Sequence, residues 1–231
     1  MKKRYLITTL IVIACFLFLT LEANAKITGG VGLSYGTANH KYLGVDLDSN
    51  KQWSSGLWAN LTHEDLLITS LYQRIVALGD SKIETDLMQI AANYRFYNEE
   101  FMQIYGGLGY QLFNTKIKHS ALDDHLFSLT GHGFVGQVIM DIIITENLHA
   151  VTKITGNPWQ SWFFSQDGYG TSNIDKSPAF SYGLGLHYDL VGDFAIDLGL
   201  LGGSYKVSSF DDKGESRNSH TGITLSISRK F

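Results

Sequence analysis

The chain has one cysteine and two prolines in 231 residues. The cysteine, Cys15, lies in an apolar N-terminal run, so the rest of the chain has neither a disulfide framework nor a thiolate site for a metal or nucleophile. Pro158 and Pro178 bracket a single stretch, and elsewhere every residue keeps the backbone donor that a strand ladder uses. Charge is sparse as well, at 17% of residues with a net of −4, which lacks the basic footprint of nucleic-acid binding. Beyond the N-terminal segment, no apolar run approaches the ~20 residues of a membrane-spanning helix.

That segment has the layout of a secretory signal. Lys2, Lys3 and Arg4 precede an apolar run from Tyr5 to Leu21, and Ala23-Asn24-Ala25 matches the small-residue cleavage pattern. The expected division is therefore a signal peptide over 1–25 and one domain over 26–231, whose net charge falls to −6 with His neutral. A lipoprotein box at "VIAC" (12–15) and an uncleaved anchor are the alternatives. The apolar run continues past Cys15, and the small-residue ending favours cleavage.

What fills the remaining chain is period-two alternation, the strand signature. Phe180, Tyr182, Leu184, Leu186, Tyr188 and Leu190 oppose Ser181, Gly183, Gly185, His187 and Asp189. Met88, Ile90, Ala92, Tyr94 and Phe96 oppose Gln89, Asn93 and Arg95. About ten such segments are expected, at 26–38, 51–63, 65–78, 83–98, 100–115, 125–144, 147–157, 178–190, 193–208 and 218–231, with eight as the alternative count. Short turns at 63–65, 98–100, 145–147 and 191–193 alternate with mostly longer connections at 39–50, 79–82, 116–124, 158–177 and 209–217. In 193–208 the apolar parity reverses after Leu200, and Gly202 and Gly203 suggest a β-bulge there. The parity of 65–78 leaves open whether Tyr72 or Gln73 lies on the apolar face, and "VIMDIII" (138–144) is apolar on both faces.

Long amphipathic strands, the terminal Phe231 on the parity of Ile223, Leu225 and Ile227, and the hairpin "NYRFYNEEFMQIYGGLGYQL" (93–112) resemble the small outer-membrane β-barrel proteins of Gram-negative bacteria, the OmpA/OmpX-like group in the broad sense. The resemblance implies an all-β, antiparallel up-and-down transmembrane barrel in the bacterial outer membrane. It also implies a last strand that pairs with the first, periplasmic short turns and extracellular longer loops. Phe231 would then be the signal read by the outer-membrane assembly machinery. The competing architecture is a soluble sandwich or lipocalin-like barrel, because alternation alone does not say which face is wet.

On the polar face, Arg95, Asp141, His149, Lys153, His187, Asp189 and Asp197 are the candidates for a lumen network or constriction. The "NPWQSWFFSQDGYG" stretch (157–170) holds Trp159, Trp162, Phe163, Phe164 and Tyr169, read either as a loop contact for a ligand or as girdle aromatics. Rim histidines 40, 119, 125, 132 and 220, with Asp123, Asp124, Asp211 and Asp212, are the places for an enzyme. No G-x-S-x-G elbow accompanies them, and the non-enzymatic reading leads. "HSALDDH" (119–125) is a weak metal motif, and "DLDSN" (46–50) lacks the glycine and closing Glu of a calcium loop. No metal or cofactor is expected. The expected partners are outer-membrane lipid and lipopolysaccharide, the assembly machinery, and a small solute or surface ligand. The leading function is a structural or surface-binding barrel. A narrow channel comes second, and a rim enzyme acting on lipid or peptide third.

Overall fold

The computed structural model describes residues 25–47, 51–79, 82–118, 126–166, 169–207 and 214–231. The signal-like segment 1–24, the "HSALDDH" motif and Asp211 and Asp212 lie outside the described residues. The strands are β1 (Lys26–Tyr42), β2 (Val45–Leu47), β3 (Lys51–His63), β4 (Leu66–Leu78), β5 (Lys82–Glu99), β6 (Met102–Lys118), β7 (Leu126–Thr145), β8 (Leu148–Gln166), β9 (Tyr169–Asp189), β10 (Phe194–Val207) and β11 (Ser216–Lys230). Each pairs antiparallel with its neighbour, and β11 pairs with β1 over Thr28↔Lys230 to Lys41↔Arg217. This closes an all-β barrel of ten strands, with β2 as a short outer strand hydrogen-bonded to β1 alone.

Closure explains why the alternation runs to the last residue. An open edge would leave a row of unpaired backbone groups, whereas the amide of Phe231 itself donates to the Ile27 carbonyl at 2.8 Å. The seam is close. A Cβ on Gly36 would lie 2.0 Å from the Thr221 carbonyl oxygen, so only glycine lets β1 and β11 approach there.

The expected turns at 63–65, 98–100, 145–147 and 191–193 are hairpin connections at one end of the barrel, the turn end, where both strand termini Lys26 and Phe231 also lie. The loop end differs from expectation. The segment 158–177 is strand at every described position, with β8 running to Gln166 and β9 opening at Tyr169. Likewise β1 continues to Tyr42 and turns through Leu43 and Gly44 (φ 51° and 82°) into β2, a two-residue hairpin loop with both residues left-handed. The tip is clamped by Gly44 N donating to Glu215 O at 2.9 Å and Leu43 N donating to Ser216 Oγ at 3.1 Å.

The bulge expected near Leu200 is absent. β10 keeps unbroken register with β9 and β11 from Ala195 to Tyr205. Alternation in β10 is therefore strict, and the reversal of apolar parity is real: Leu200 faces outward and Leu201 inward. Bulges or register shifts occur instead at 95–97 in β5, at 132–136 and 143–145 in the β7–β8 pairing, and at 157–160 and 162–164 in the β8–β9 pairing. Pro158 sits at one of these, where its missing donor costs no ladder bond. In β4, Gln73 faces the lumen and reaches Ser54 Oγ at 2.7 Å, while Tyr72 faces outward and donates to Asp86 at 3.0 Å.

The wall has two tiers. Towards the turn end the outer face is an apolar band that includes Val31, Leu33, Leu57, Met88, Leu108, Phe134, Val138, Leu184, Leu198 and Leu225, all exposed. The inner face at that level is Ser34, Asn93, Gln111, Gln137, Thr224 and Ser226, with glycines. Towards the loop end the outer face turns polar (Asn39, Lys41, Glu84, Lys116, Lys118, Ser204, Lys206, Arg217) and the inner face apolar.

Candidate functional site in the barrel lumen

The inner residues of the upper tier form one buried cluster. Tyr42, Leu47, Ala77, Ile83, Phe113, Ile117, Phe127, Leu129, Trp162, Phe164, Tyr205 and Val207 meet across the lumen. Phe113 of β6 and Tyr205 of β10 lie far apart around the wall, yet their rings are 5.3 Å apart edge to face. Trp162 packs 4.6 Å from Tyr205, whose hydroxyl bonds Tyr42 at 2.9 Å. Glycine makes room for this plug: a Cβ on Gly131 would fall 2.3 Å from Gln160 Nε2 and 2.6 Å from the Trp162 ring.

Two of the five expected contact aromatics thus point into the plug. Trp162 is 0% exposed and Phe164 is 5% exposed, because the bulge at 157–160 moves the lumen side of β8 from Thr155 and Asn157 to Gln160, Trp162 and Phe164. Phe163 faces outward and stacks on His132 at 5.3 Å, and Trp159 is 75% exposed. Tyr169 opens β9, and its side chain is not among those described.

Beneath the plug lies a cavity of about 240 Å³, lined among others by Gln73, Gln89, Gln111, Lys153, Gln160, Trp162 and His220. Below it, Thr69 of β4 donates to Gln137 of β7 at 3.1 Å, a bond that crosses the lumen.

The turn end holds most of the expected lumen charges. His187 Nδ1 meets Asp197 and Nε2 meets Asp189 at 3.3 Å, while Lys230 Nζ reaches Asp189 at 2.8 Å. His149 lies edge-on to His187 at 5.9 Å and pairs with Asp141 at 3.0 Å. Arg95 stands apart, held by Asp65 at 2.7 Å, and Lys153 lies above in the cavity. Asp65, Ser226 and Lys230 were not foreseen. Ser226, which donates to Asp197 at 2.7 Å, and Lys230 share the lumen parity of β11, but Asp65 is in a turn that no alternation covers.

Chemically, this group is a set of mutual partners. Both ring nitrogens of His187 face carboxylate oxygens, so neither is free to take a proton from a substrate. At the rim, His40 is buried against Asn218 at 3.0 Å and His132 bonds Tyr110 at 2.7 Å. Among the described residues, no rim histidine pairs with a carboxylate, and no cluster suits a metal.

The fold is that of outer-membrane β-barrel proteins. Solved structures similar to this chain include the outer membrane protease OmpT from Escherichia coli, with a TM-score of 0.59, 10% identity, and coverage of 90% of this chain and 97% of that one. The translocator domain of autotransporter NalP from Neisseria meningitidis has a TM-score of 0.47 at 12% identity, covering 99% and 96%. Neisserial surface protein A (NspA) has 0.44 at 12%, covering 90% and 99%. No family model matches the sequence, and no curated protein matches it.

Proposed function

We propose that the chain is a closed barrel of the bacterial outer membrane, exported by its N-terminal signal. Its work is done on its projecting outer surface, not through its lumen. The observation that supports this reading is the aromatic plug. Trp162, Tyr205 and Phe113 meet over the barrel axis with the cluster packed round them, so that buried side chains fill the described upper tier. The apolar band sits in lipid, and the tier above it stands in water as a small soluble barrel would.

Just above the band, Lys51, Lys116, Lys118, Lys206 and Arg217 face outward, at the level where lipopolysaccharide phosphates would lie. Lipopolysaccharide is therefore the partner of that surface, and exposed Trp159 adds an aromatic contact. The protease named among the similar structures is alike in fold alone, and the described histidine–carboxylate pairs lie at the turn end, where His187 has both ring nitrogens and His149 its Nδ1 on carboxylates.

Planar-bilayer conductance of the chain from Lys26 to Phe231, folded and inserted, tests this directly. Silence is expected, with current appearing in a Trp162→Ala/Tyr205→Ala double variant. Steady, salt-dependent steps from the unaltered protein would overturn closure and make it a channel.

A further inference from the structure

We propose that the cavity beneath the plug is a binding site for a small organic anion, a carboxylate on a body about the size of one aromatic ring. The proposal does not depend on whether the barrel conducts. It rests on an unpaired ammonium and unpartnered N–H groups that line one cavity. Lys153 is the one Lys, Arg, Asp or Glu among the described residues lining the cavity, and neither an ion pair nor a hydrogen bond joins it to another described residue. Trp162 Nε1, Gln160 Nε2 and Gln89 Nε2 are buried and have no hydrogen-bond partner, and all three residues line the same space. Trp162 and Gln160 are both 0% exposed, and Gln89 is 6% exposed.

Each buried, unpaired amide or indole N–H is costly, and the half-buried Lys153 ammonium has no counter-charge. An incoming carboxylate, which only accepts and offers about four lone-pair sites, would supply the counter-charge that Lys153 lacks. The rest of the lining is mixed: Phe113, Leu71, Ile75, Leu87 and Leu201 supply an apolar part, beside Gln73, Gln111, Ser54 and Thr155. The cavity, at about 240 Å³, exceeds the roughly 150 Å³ that admits benzene in an engineered protein cavity. The anion's head would lie at Lys153, with its apolar body directed towards the Phe113–Trp162–Tyr205 ceiling.

Equilibrium dialysis of labelled benzoate against the folded protein in zwitterionic micelles, with protein-free micelles as the blank, tests the site. Saturable binding at one site per chain is expected, with benzyl alcohol, a neutral isostere, binding far more weakly. Lys153→Met should lower affinity by about tenfold or more, as loss of a charged hydrogen-bond donor does. Heat-modified gel mobility reports whether the variant has folded. If Lys153→Met does not fold, Lys153→Gln takes its place, with a severalfold loss expected. Absence of saturable benzoate binding, equal binding of benzyl alcohol, or affinity unchanged in the folded variant would overturn the proposal. Inorganic phosphate binding in place of benzoate would overturn its apolar half.

Discussion

Leu200 and Leu201 are neighbours in sequence and lie on opposite sides of the same wall, one at the top of the apolar band and the other lining the cavity. Below them β10 is apolar outside (Phe194, Ile196, Leu198), and above them it is apolar inside (Tyr205, Val207). The same inversion appears on β6, where Leu108 and Leu112 face out and Phe113 and Ile117 face in. β10 keeps one unbroken register through both tiers, so under the proposed placement only the solvent differs. Where the outer medium is lipid, large side chains point outward and small polar ones fill the lumen. Where it is water, the wall must bury its apolar face inward, and a narrow barrel then fills itself.

The largest way to break this comparison is to empty the upper core. Trp162→Ala should cost about 3–5 kcal/mol, since it removes a fully buried ring from between Phe113 and Tyr205. Urea unfolding of vesicle-inserted protein would register it.

A paired test along one strand sharpens the contrast. Leu198→Arg, at mid-band, should cost about 2–4 kcal/mol, the usual penalty for Arg on a lipid face at the bilayer midplane. Ser204→Arg, on the same outward face but above the band, should stay within about 0.5 kcal/mol. Equal costs would erase the two tiers.

Smaller effects belong to the polar ends. Asp65→Asn weakens the hold on Arg95 at the turn end, and because Asp65 is about half exposed the loss should be only about 0.5–1 kcal/mol. At the loop end, the Lys206 ammonium holds the Glu215 carboxyl below its ordinary value, with Lys41 adding to the effect. A depressed carboxylate pKa gives stability that is present above the unfolded value, near 4.5, and is lost as pH falls through the folded value. Glu215→Gln should therefore lower the unfolding midpoint slightly at pH 7 and make no difference near pH 3.

The lower tier was legible because one rule governs it. Alternation at 26–38, 83–98 and 178–190, short turns and a terminal Phe on the apolar parity together announce a closed amphipathic barrel. The upper tier was not, because its pattern is the same rule with the sign reversed. Read with a single sign, the change after Leu200 resembles a bulge, and the alternation of Gln160, Trp162 and Phe164 resembles an aromatic loop. The cavity was legible least of all. Lys153 stood out as a lumen charge, but Gln89 and Gln160 become notable only when the fold lines the same cavity with their unpartnered amides.

The most direct test of the two-tier barrel is the solvent seen by one outer face along β10. The only cysteine is Cys15, so nitroxide labels placed singly at residues 196, 198, 200, 204 and 206 of the chain from Lys26 onward carry no background. The inversion predicts oxygen-accessible, lipid-like sites at 196, 198 and 200 and sites open to a water-soluble nickel relaxant at 204 and 206. Lipid-like accessibility through 206, or water-like accessibility at 198, would contradict it.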